Sequence, residues 1–143
     1  MSHRVVSLTA LMLGGFMLAA APAYAEVVNM SAMLNAASEV PPNDSAGTGT
    51  LEATYDTDSK ALTWTVTYEG LSGDATAAHF HGPADVGVNA PPVVPIEGPL
   101  ASPIKGTATL TDDQAKQLQG GMWYFNVHTA AHPDGEIRGQ VMA

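Results

Sequence analysis

Apolar and polar residues alternate with a period of two over most of the chain beyond residue 26. The clearest stretch sets Leu62, Trp64, Val66 and Tyr68 against Thr63, Thr65, Thr67 and Glu69. Successive side chains of a strand point to opposite faces, so this pattern predicts a strand with one face on a core. Leu51, Ala53 and Tyr55 alternate with Thr50, Glu52 and Thr54, and the Asp56-Thr57-Asp58-Ser59 cluster that follows predicts a hairpin to the first stretch. Val28, Met30, Ala32 and Leu34 predict an earlier strand; Ala75 to His81 and Ile104, Gly106, Ala108 and Leu110 predict later ones. Trp123, Phe125 and Val127, then Ile137, Gly139 and Val141, supply the last two. Thr111 with Gln114 three residues on has the pattern of a capping box, and Gly120-Gly121 ends the segment, so one short connector helix is predicted over Asp112 to Gln119. The stretch from Gly82 to Ser102 is rich in Pro and Gly and reads as a long loop, of the kind that is usually functional. No repeat or linker interrupts this order. The expected fold is all-β: a single antiparallel β-sandwich or Greek-key barrel of seven to eight strands with one short connector helix.

The start of the chain breaks the pattern. His3 and Arg4 precede an almost unbroken apolar run from Val5 to Ala21, and Ala23-Tyr24-Ala25 offers the small residues that a signal peptidase reads. The run is short for a membrane span and no basic cluster follows it. Residues 1–25 are therefore expected to be a signal peptide and residues 26–143 a single exported domain, periplasmic or secreted, with no membrane insertion after cleavage.

Charge and composition narrow the chemistry. With 5 Lys and Arg against 14 Asp and Glu, a net charge of -9 excludes a sequence-independent grip on nucleic acid, which needs clustered cations to displace phosphate counterions. The absence of cysteine excludes a disulfide framework, a thiolate zinc site and an iron–sulfur cluster. Any metal must be held by His, Asp, Glu, Met or carbonyls. The acids Asp56, Asp58, Asp112 and Asp113 sit where turns and helix caps use them, which outweighs a calcium site. No phosphate loop or nucleophile elbow is present.

The histidines are the strongest chemical signal. Beyond His3 they fall in two places, His79 and His81 around Phe80, and His128 and His132 flanking Thr129-Ala130-Ala131. Residues two apart share a strand face, so His79 and His81 point away from a core that takes Phe80. Reading His132-Pro133-Asp134-Gly135-Glu136 as a three-residue hairpin loop sets His132 opposite Glu136, Ala130 opposite Arg138 and His128 opposite Gln140. These residues then lie outward, on the face away from Trp123, Phe125, Val127, Ile137 and Val141. If the two histidine strands are neighbours, four imidazoles share that face, a donor set that suits copper or zinc without sulfur. The competing reading is structural: the histidines with Asn126, Glu136, Arg138 and Gln140 tie the long loop to the sheet, and Glu136 and Arg138 form a surface ion pair.

Three segments together resemble the signature of the CHRD domain: Leu34 to Pro42, His79-Phe80-His81-Gly82-Pro83-Ala84, and Trp123 to Thr129 continued through Pro133 to Gln140. The resemblance implies an extracytoplasmic β-sandwich module and no settled activity. A fainter likeness is to the copper-zinc superoxide dismutase fold, where a His-x-His strand holds copper on an outer barrel face. This chain departs from it in having no cysteine and a Pro-rich stretch in place of a zinc loop. The expectation is a binding module without catalysis of its own, recognising a protein or small ligand through the histidine face and the Gly82 to Ser102 loop. The alternatives are a copper or zinc protein, in metal handling or dismutase-like redox chemistry, with His79, His81, His128 and His132 as ligands, and a structural envelope or matrix domain.

Overall fold

The computed structural model describes residues 14–15 and 25–143, so the expected signal peptide lies almost wholly outside the described residues. The strands are β1 (Val27–Asn35), β2 (Thr48–Asp56), β3 (Ala61–Glu69), β4 (Ala75–His81), β5 (Pro92–Pro95), β6 (Ile104–Thr109), β7 (Tyr124–Thr129) and β8 (Ile137–Gln140). A 3-10 turn, Ala36–Ser38, follows β1, and one α-helix, α1 (Asp112–Gln119), links β6 to β7. All eight strands join one antiparallel sheet in the order β5-β4-β7-β8-β1-β2-β3-β6, which curls into a nearly closed barrel.

Alternation decides which residues fill the barrel. Leu51, Leu62, Val66, Phe80, Trp123, Phe125, Val127 and Ile137 are fully buried in one continuous core. Each large side chain so buried contributes roughly 1.5–3 kcal/mol. Phe80 lies at its centre, edge-on to Trp64 and Phe125 at centroid distances of 5.2 and 4.9 Å. Gly106 stands opposite Trp64 across β3 and β6. A Cβ there would lie 2.5 Å from the indole, so only glycine leaves room for the ring. The β2–β3 hairpin forms as expected. Asp56 Oδ1 accepts from the backbone N–H of Asp58 and Ser59 in its turn, which makes it a turn acid. Thr111 and Gln114 complete the capping box, and α1 adds Ala115 and Leu118 to the core. Lys60 pairs with Asp112 at 2.7 Å, on the surface.

Two expectations need correction. The Gly82 to Ser102 stretch is not wholly a loop, because Val94 is buried and β5 pairs with β4 at the sheet edge. Prolines at both ends of β5 fit an edge position, where missing N–H groups cost no ladder bond. The β7–β8 register also differs. Gln140 faces Tyr124 and Arg138 faces Asn126, four positions from the three-residue hairpin expected from sequence. The chain makes a longer excursion instead: His132 and Thr129 exchange backbone bonds, and Glu136 N–H donates to Val127 O at 2.8 Å. The shift is even, so Asn126, His128, Arg138 and Gln140 keep the face assigned to them, while Ala130, His132 and Glu136 fall in the connection between the strands.

Candidate metal centre

β4 and β7 are direct neighbours, which satisfies the condition on which the histidine face depended. His79 faces Asn126, His81 faces Tyr124 and Ala77 faces His128 across the pair. One nitrogen each from His79, His81 and His128 lie within 4.8 Å of one another. His79 Nδ1 and His128 Nε2 are 3.1 Å apart, and the His79 and His81 rings meet edge to face with centroids 5.4 Å apart. His132 is not in this group; its Nε2 stands 3.9 Å from Glu136 Oε1 in the β7–β8 connection.

The face is outside the core, as expected, but it is not open to solvent. His81 is 7 % exposed, Arg138 2 % and Asn126 3 %. The covering element is the segment Ala84 to Ala90, held down by the polar residues beneath it. Arg138 donates to Asn89 Oδ1 at 2.7 Å and to Val88 O at 2.6 Å, and its guanidinium lies 3.4 Å over the Tyr124 ring. Gln140 donates to Ala84 O and Gly121 O, each at 2.8 Å. Ala90 O accepts from His81 Nδ1 at 2.9 Å and from the Tyr124 hydroxyl at 3.1 Å. Tyr124 in turn stacks on His81 with a 5° interplanar angle. A strand with polar residues on one face reads as half-exposed in sequence; here the loop supplies partners that let those groups be buried.

The surface ion pair expected between Glu136 and Arg138 is absent. Glu136 is fully buried and points instead at hydroxyls. It accepts from Ser72 N–H and Ser45 Oγ, each at 2.9 Å, from Thr129 Oγ1 at 2.7 Å and from the Ser72 hydroxyl. Burial alone raises a carboxyl's pKa, but these donors outweigh it and hold Glu136 at about 2. Glu136 therefore joins the segments around residues 45, 72 and 129, while Arg138 joins the 82–102 stretch.

Two of the three imidazoles are biased toward the uncharged form. Burial lowers the pKa of His79, assisted by His128 and His81, and burial lowers His81 against the opposing bonds to Ala90 and Asn126. Neutral rings at pH 7 offer lone pairs. The backbone carbonyl of Pro133, 2.9 Å from His128 Nδ1, orients that ring as an outer-shell acceptor. Zinc and copper both suit a set of imidazoles, and the half-buried His79 leaves one side of the group approachable.

Two residues of the site carried no recognisable signal in the pattern. Tyr124 falls on the outer face by alternation with Trp123 and Phe125, which gives it no role. Glu39, 6 % exposed, lies between Ser38 and Val40-Pro41-Pro42, where an acid reads as a solvated turn residue. Its carboxyl reaches the far side of Asn126 and crosses close above Gly135, whose φ is +124°. A Cβ at Gly135 would lie 2.6 Å from Asn126 Nδ2 and from Glu39 Oε2, so glycine is required both for conformation and for space.

The structure thus defines a class: an all-β barrel-like domain with a three-histidine cluster on its outer face, roofed by a long loop. The CHRD domain family model matches residues 30–141, and the chain belongs to that family. No curated protein matches. No solved structure matches either. Among the described residues no helix is long and apolar enough to cross a membrane.

Proposed function

We propose that this CHRD domain binds a copper or zinc ion through His79, His81 and His128 and serves in metal handling outside the cytoplasm. The supporting observation is the convergence of three imidazole nitrogens within 4.8 Å from two neighbouring strands. Bound there, copper would bring one-electron chemistry and zinc Lewis acidity. The protein's part is to hold the rings oriented and partly shielded. His132, turned toward Glu136, is left out of the ligand set.

Metal analysis of the purified, untagged protein should find about one equivalent of copper or zinc, or titrate to it, as expected for a single imidazole site. The His79→Ala, His81→Ala double variant should lose it and remain folded by circular dichroism. A wild type that neither carries nor takes up either metal would sink the reading.

A second reading, recognition of a protein or small ligand by the loop, is favoured by the exposure of Val86 and Val88 at its tip and of Met33 nearby. It uses the loop's outer surface, since its inner side is occupied by the sheet. Residues 1–25 are read as an export signal; N-terminal sequencing of protein recovered from a periplasm should begin at Glu26, and a start at Met1 would refute it.

A further inference from the structure

A carbonyl oxygen can only accept a hydrogen bond, and this fixes the ring protons around the cluster. Ala90 O requires a proton on His81 Nδ1, and Pro133 O requires one on His128 Nδ1. In each neutral ring the lone pair is then on Nε2. His128 Nε2 faces His79 Nδ1, another member of the cluster, so a cation between them simply replaces a bond within the ligand set. His81 Nε2 is different. It lies 2.8 Å from the side-chain amide of Asn126, which is outside the cluster and touches Glu39 on its other side.

The amide atom facing His81 is Oδ1. With acceptors at both ring nitrogens, either His81 is doubly protonated and Glu39 ionised, or the amide makes a half-turn, donates Nδ2–H to His81 and accepts from a protonated Glu39 through Oδ1. The two arrangements hold the same number of protons. In both, His81 Nε2 is occupied by Asn126.

We propose that Asn126 is the positioning residue that gates the centre: its amide holds the ligand nitrogen of His81 in the cation-free protein and is released toward Glu39 when a cation takes that nitrogen. The inference rests on the trihistidine reading. Asn126 is not needed to aim the ring, because stacking on Tyr124 and the bond to Ala90 O already fix its plane. The amide therefore competes with the cation rather than preparing for it. Release of the amide couples occupancy to Glu39, and through Glu39 to the turn after β1, at the edge of a cleft of about 310 Å³ lined also by Arg138 and Val86.

The test is zinc affinity of the full, untagged protein by chelator competition at pH 7. Asn126→Ala should bind roughly 3- to 10-fold tighter, the fold-change for removing one competing neutral hydrogen bond. Unchanged affinity, or the 10- to 100-fold weakening usual when a supporting outer-shell partner is lost, would overturn the proposal. If Asn126→Ala does not fold, the wild type answers the question by nitrogen-15 spectroscopy. On zinc saturation the Asn126 side-chain amide signals should move and His81 Nε2 should change from hydrogen-bonded to metal-bound; silent Asn126 signals in a zinc-loaded protein refute the gate alone. No zinc uptake by the wild type refutes the gate and the trihistidine reading together.

Discussion

Glu136→Leu should lower folding stability by about 4 kcal/mol at pH 7, and Glu136→Gln by about 2 kcal/mol, measured by urea denaturation. The leucine strands the Ser72 N–H and leaves the hydroxyls of Ser45, Ser72 and Thr129 facing an apolar group inside the protein. Glutamine keeps the shape, and the hydroxyls can turn to meet its amide, so only the strengthening from charge is lost. The order of the two variants separates a buried anion from a space-filling residue. The pH dependence gives a second check. The folded pKa of about 2 lies below the ordinary 4.5, so the stabilisation is present above pH 4.5 and is lost as pH falls from 4.5 through 2. The gap between wild type and Glu136→Gln should close over that window. A gap that persists at pH 2 would show that the charge contributes nothing.

Glu39→Gln should have the opposite pH signature and should stabilise the protein in mild alkali. Burial raises the Glu39 carboxyl to about 7, offset in part by Asn126 and Arg138. A raised pKa means that the folded protein holds this proton more tightly than the unfolded chain. Its contribution is full below pH 4.5 and is lost as pH rises through 7. The shift corresponds to about 3 kcal/mol between pH 4.5 and 8. Glutamine has no proton to lose, so the variant should gain on wild type steadily across that interval. His79 and His81, held below the usual imidazole range chiefly by burial, destabilise the fold as pH falls below 6.5. The His79 part of that effect is common to both proteins and cancels in the difference. Parallel stability profiles from pH 5 to 8 would show that Glu39 does not titrate in this range.

The buried acids also show why part of the site was hidden from sequence reasoning. Glu136 stands two residues from Arg138, and pairing the two opposite charges is the natural local inference. Its partners are Ser45 and Ser72, 91 and 64 residues away, and nothing in a run of serines marks them as donors to one distant carboxylate. Glu39 carries no local signal for the same reason: its environment is made by Gly135 and Asn126, far along the chain. By contrast His79, His81 and His128 were legible, because a strand's period of two is a local property and puts alternate residues on one face whatever their partners.

What the sequence determined by itself follows from that locality. Alternation gave the all-β class, the core residues Leu62, Trp64, Phe80, Phe125 and Ile137 and the shared face of His79, His81 and His128; the Thr111 capping box placed the helix. Faces survived even where the β7–β8 register was misjudged, since an even slip leaves side-chain parity unchanged. Only the tertiary structure decided that β4 lies beside β7, that His132 stands apart from the other three and that the segment Ala84 to Ala90 roofs the face. Strand adjacency is set by how eight segments share one core, and burial of a polar face is set by which distant groups can satisfy it. Both are non-local balances of packing and hydrogen bonding, which no single window of sequence contains.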